Sequence, residues 1–67
     1  MKKAHKILST YVNGDLMSET FLTEDRKHYG VRFYKNNVFI KDEIYKGKSE
    51  SYAEDAAENY LYGIKTI

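Results

Sequence analysis

The sequence contains no cysteine, no proline and no tryptophan. Without cysteine there can be no disulfide scaffold, no thiolate metal site and no cysteine nucleophile. No apolar run approaches the roughly 20 residues of a membrane span. The start, MKKAHKILSTYVNGD, has a basic lead, but fewer than about 7 consecutive apolar residues follow it, so it does not read as a signal peptide. An excess of one charge is missing too: eleven Lys and Arg against ten Asp and Glu leave a formal net charge of +1. Length is the last shortage, since 67 residues make one domain, 1–67, at most. A domain of about 60 residues buries only about 60% of its unfolded surface. Small scaffolds that lack disulfides and metals rely on a very well packed core or on self-association. A homo-oligomer, most simply a dimer, is therefore expected.

What is present suffices for a fold. Hydrophobic residues make up 42% of the chain, with seven Tyr and three Phe. Residues 1–6 read as a frayed basic lead. Ile7–Val12 is rich in β-branched and aromatic residues, and Asn13-Gly14 follows as a hairpin turn. Leu16–Leu22 reads as a second strand, and Thr23-Glu24-Asp25-Arg26-Lys27 as a polar loop. Tyr29–Lys35 and Val38–Tyr45 read as a second hairpin across Asn36-Asn37, residues that tolerate the positive φ of a type I′ turn. The helix is the clearest element. Ala53, Ala56, Ala57, Tyr60, Leu61 and Ile64 recur on one face. Ser51 with Glu54 forms a capping box, Ser49 is the rival cap, and Gly63 stands where a left-handed C′ residue is wanted. The expected fold is α+β with order ββββα: an antiparallel four-stranded sheet of two hairpins, one face covered by a C-terminal helix.

A two-residue Asn36-Asn37 loop fixes the cross-strand pairs of the second hairpin. Phe33 should face Ile40, Arg32 should face Lys41, and Val31 should face Asp42. Alternation then places Val31, Phe33, Val38 and Ile40 on the helix-facing core side, with a bulge or frayed pairing near Asp42. The opposite side carries Arg32, Tyr34, Phe39, Lys41 and Tyr45, a mixture of cations and aromatics that one helix cannot cover. In the first hairpin, a two-residue turn pairs Tyr11 with Leu16, and a three-residue turn pairs Tyr11 with Met17 and Ile7 with Phe21. The second option gives the cleaner apolar face. Charge is segregated: Arg26, Lys27, Arg32, Lys35, Lys41, Lys46 and Lys48 lie in the hairpin half, and Glu50, Glu54, Asp55 and Glu58 on the helix. Acids near a helix N-terminus complement its dipole.

Groups for catalysis are sparse. His5 and His28 have no second ligand at metal spacing, and the carboxylates sit in turns and on the solvent side of the helix. Ser49 and Ser51 read as caps. Gly47-Lys48-Ser49 has the tail of a phosphate loop, but the earlier Gly of that motif is absent. The reading is of a protein that is not an enzyme and holds no cofactor and no metal.

Two stretches resemble known proteins. Gly47-Lys48-Ser49-Glu50-Ser51-Tyr52-Ala53-Glu54-Asp55-Ala56-Ala57 has the loop and S-x-x-x-A-x-x-A-A spacing of a final helix that follows a hairpin. With that hairpin, residues 28–64 resemble the C-terminal half of a double-stranded-RNA-binding domain. The resemblance implies a hairpin-plus-helix topology. It does not extend to the RNA-contacting lysines after the Ser, because Glu50 and Ser51 occupy those positions and an acidic helix repels phosphate. The family's first helix is replaced by the Ile7–Leu22 hairpin. The ending, Lys48-Ser49-Glu50 through Tyr60 and Gly63-Ile64, resembles short uncharacterised proteins of tailed marine cyanophages. That implies a protein made in a bacterial or phage-infected cytoplasm.

Two functions compete. One is a non-catalytic interaction module that self-associates through Arg32, Tyr34, Phe39, Lys41 and Tyr45, since aromatics and Arg are enriched at interface cores. The alternative is nucleic-acid binding through that basic and aromatic hairpin face. Against it stands a sequence pI near 7.9, below the roughly 9 of a binding domain. No membrane partner is expected.

Overall fold

A computed structural model describes residues 6–67, so His5 and most of the lead lie outside the described residues. Four strands form one antiparallel meander: β1 (Lys6–Asn13), β2 (Leu16–Leu22), β3 (Tyr29–Lys35) and β4 (Val38–Tyr45). One helix follows, α1 (Glu50–Leu61), and the order is ββββα as expected. Lys6 belongs to the first strand, not to a frayed lead.

The turns follow local chemistry. Gly14, at φ +65°, opens a two-residue Gly14-Asp15 loop closed by the Asn13–Leu16 pair. A glycine at the first central position is the type II′ pattern. The turn thus sits one residue later than the Asn13-Gly14 reading, and Tyr11 faces Ser18 instead of Leu16 or Met17. Ile7 still faces Phe21, because β1 bulges at Leu8 and regains the register. Asn36 and Asn37 both have positive φ, 54° and 67°, and form the expected I′ turn.

α1 is held at both ends. Ser49, not Ser51, is the N-cap, and its hydroxyl accepts the Tyr52 N–H at 3.3 Å. At the C-terminus the Gly63 N–H reaches the Tyr60 carbonyl and the Ile64 N–H the Asn59 carbonyl, with Gly63 at φ +78°. This is a Schellman closure. Ala53, Ala57, Tyr60 and Leu61 are buried against Val31 and Phe33, and the Tyr60 ring meets Phe33 edge-on at 4.8 Å. Ile64 lies beyond the helix and is exposed. Three sheet residues also hold the helix by polar contacts. Ser18 Oγ donates to the Ala57 carbonyl (3.0 Å), Asn13 Nδ2 to the Leu61 carbonyl (2.9 Å), and the Tyr60 hydroxyl to the Tyr34 carbonyl (3.0 Å).

The helix lies mainly over β1, β2 and β3 and meets β4 at Tyr45, whose ring Tyr52 contacts edge-on at 5.1 Å. Val38 and Ile40 are therefore exposed rather than core. The helix side of β4 is closed instead by the chain end. Lys65 Nζ reaches Glu43 at 3.0 Å and lies 5.8 Å from the Phe33 ring centroid. Principal extents of 31 × 27 × 17 Å fit two layers, one sheet and one helix.

Candidate interaction face

The side chains opposite the helix form three rows across the sheet, read from the strand registers. The first row is Val12, Met17, Tyr34 and Phe39. The second is Thr10, Glu19, Arg32 and Asp42. The third is Ile7, Phe21, Gly30 and Ile44. Two apolar rows thus flank one polar row. The four corners are large and open to solvent: Val12 is 65% exposed, Phe39 51%, Ile44 47% and Ile7 41%.

Each inner position is fixed by its neighbours. The Tyr34 hydroxyl donates to the Glu19 carboxylate at 3.1 Å, and the Tyr34 ring meets Phe39 edge-on at 5.9 Å. Phe21 is fully buried, its ring tip above Gly30. A Cβ at Gly30 would lie 2.6 Å from Phe21 Cζ and 2.5 Å from the Glu43 carbonyl oxygen. The Arg32 guanidinium lies 5.9 Å from the Phe21 ring centroid, in cation–π range. Arg32 Nε is buried and has no hydrogen-bond partner, and Arg32 makes no ion pair among the described residues.

The five residues singled out from sequence are divided by the structure. Arg32, Tyr34 and Phe39 share the open face; Lys41 and Tyr45 stand on the helix side. The cause is a bulge in β4 at Ile40, two residues before the expected place. Tyr34 pairs with Phe39, but Phe33 pairs with Lys41 and Arg32 with Asp42. The unbulged register would set Lys41 against Arg32 and press Asp42 onto the core side. The extra residue removes both conflicts, because like charges directly opposite are destabilising and a buried carboxylate needs a partner.

Lys41 then joins a cluster around Glu43 on the helix side. Glu43 takes the Lys65 ammonium (3.0 Å), the Lys41 ammonium (3.4 Å) and the Tyr45 hydroxyl (2.7 Å). Burial raises the Glu43 pKa, but the Tyr45 hydrogen bond and the two lysines outweigh it and hold the carboxyl below its ordinary range. Burial and the Glu43 carboxylate together push the Tyr45 hydroxyl well above the ordinary tyrosine value. Beside the cluster a groove of about 450 Å³ runs between α1 and the chain end, lined by Tyr45, Tyr52, Asp55, Asn59 and Lys65.

Sequence reasoning missed Glu19, Asp42, Val12 and Ile44 on this face. Asp42 was visible as the residue that spoiled alternation, but the position of the bulge was not. Among the described residues no group of three or more His, Asp or Glu could hold a metal, and no helix is long and apolar enough to cross a membrane. No protein-family model, curated protein or solved structure matches the chain.

Proposed function

We propose that this chain is a non-catalytic interaction module that binds a second copy of itself through the open sheet face. One observation carries the reading. Four large apolar side chains stand exposed at the corners of a sheet face that no described element covers. A sheet hydrophobic on both sides needs a second layer on each, and large apolar side chains left exposed on one face mark it as an interaction site. Edge pairing is the less favoured mode, because both outer strands are bulged, β1 at Leu8 and β4 at Ile40. A net charge of +1 leaves little repulsion between copies.

Size sets the strength. Four strands about 4.8 Å apart and about 24 Å long present roughly 450 Å² of plane per copy. Two copies together bury about 900 Å², the small end of specific interfaces, so the association is concentration-dependent rather than permanent. The nucleic-acid reading has lost its main support, because Arg32 is the only cation in the three rows and it stands between Glu19 and Asp42. Lys41, its expected companion, is bound to Glu43 on the other side. The phage-protein resemblance of the ending supports a bacterial or phage-infected cytoplasm as the setting.

Amide spectra of the ¹⁵N-labelled chain recorded across a dilution series test the reading. Shifts that concentrate at Val12, Arg32, Phe39 and Ile44, with Ala53 and Ala57 unmoved, are expected. A spectrum independent of concentration, or shifts confined to α1, would overturn it.

A further inference from the structure

The middle polar row shows how two copies would meet. β2 runs from Leu16 to Leu22 and β3 from Tyr29 to Lys35. Glu19 is the middle residue of β2, Arg32 is the middle residue of β3, and the two are cross-strand partners. With strand order β1-β2-β3-β4, they flank the geometric centre of the open face. A central charge pair is an unusual choice for an apolar face unless it is neutralised when the face is covered.

Two sheets meeting face to face must be related by a two-fold axis lying between them. From the self-association reading, on which this step rests, we infer that the axis runs parallel to the strands, midway between β2 and β3. Arg32 of each copy then faces Glu19 of the other. That operation lays β2 on β3 of the second copy and β1 on β4. An axis across the strands would instead set Glu19 against Glu19 and Arg32 against Arg32, like-charge contacts that oppose association.

The chosen axis satisfies every row. At the centre, two arginines and two glutamates alternate around a square, so each glutamate has one arginine beside it in its own chain and one in the other, and each arginine gains a second glutamate besides its own Glu19 and Asp42. Arg32 is available for this, since it makes no ion pair among the described residues. The Tyr34 hydroxyl already holds the Glu19 carboxylate in position. At the ends of the polar row, the Thr10 hydroxyl faces Asp42 of the other copy. In the apolar rows Val12 faces Phe39 and Ile7 faces Ile44, so all four exposed corners are covered by one another. Aligned sheets pack about 10 Å apart and cross at about 30°. That rotation moves the corners most and the central square least. Arg32 and Glu19 are thereby the specificity-determining pair of the interface, charged centres that fix the register of an otherwise apolar contact.

Charge exchange tests the assignment on the full chain. Glu19→Arg and Arg32→Glu each set like charges across the axis, and each is expected to weaken self-association about 30-fold, the factor of a central hot spot. An equimolar mixture of the two is expected to regain the wild-type association, because every cross-axis pair is again opposite in sign. The double variant Glu19→Arg/Arg32→Glu keeps the pair within its own chain and so guards against loss of fold. It is expected to self-associate but not to shift the amide spectrum of ¹⁵N-labelled wild-type chain. Association of the double variant with wild type would overturn the axis. So would single variants that associate as strongly as wild type, and both leave self-association itself standing. A wild-type chain that stays monomeric would overturn the underlying reading instead.

Discussion

Gly30 lacks a side chain because Phe21 and the β4 backbone occupy its space. Both neighbours lie within 2.6 Å of where a Cβ would stand, and one of them is the Glu43 backbone carbonyl. Gly30→Ala is therefore expected to destabilise the fold by about 3 kcal/mol, at the upper end of overpacking costs, measured by urea unfolding. Thr20 is the opposite case. Its hydroxyl is fully buried and has no hydrogen-bond partner. Thr20→Val keeps the shape and removes an unsatisfied polar group, so it should stabilise by about 1 kcal/mol, read as a rise in melting temperature. Glu43 governs acid sensitivity. Its folded-state pKa is depressed, so its contribution is present above the unfolded value and lost as pH falls through the folded one. The window lies below the ordinary glutamate value of 4.5. Glu43→Gln should flatten the loss of stability as pH falls below about 4.5, measured by thermal melts on either side of that value. Asp25 is depressed as well, by the Thr23 hydroxyl and the Lys27 N–H, so part of the slope should remain.

At the scale of elements, the strands and the helix were legible because their signals are local. Alternation, Asn-Asn turn chemistry, the helical apolar face and Gly63 each act over a few residues. The register was less so, because it depends on bulges, and a bulge is settled by partners on other strands. Ile40 leaves the ladder so that Asp42 can meet Arg32 and Glu43 can meet Lys65, and Lys65 is distant in sequence. By pattern Ser51 carried the capping box with Glu54 and Ser49 was its rival, yet Ser49 is the cap. The choice of Ser49 sets α1 at Glu50. Ser49→Ala should lower stability by about 1 kcal/mol, while Ser51→Ala should leave the denaturation midpoint unchanged.

At the scale of the whole molecule, the asymmetry between the two sheet faces decides the functional reading. The helix, its Schellman turn and the Lys65 contact cover one face, and no described element covers the corners of the other. The sequence carried the existence of an uncovered aromatic face, and Arg32, Tyr34 and Phe39 do lie on it. It did not carry the face's charge, because the bulge at Ile40 exchanges Lys41 for Asp42. A surface that looked basic is a polar stripe between apolar rows, and a second copy is proposed to cover it. Sedimentation velocity of the unmodified chain, from a few micromolar to several hundred micromolar, tests that claim most directly. The account predicts a weight-average mass rising from the 7.9 kDa of the monomer toward about twice that value. A mass that stays at 7.9 kDa throughout would contradict it.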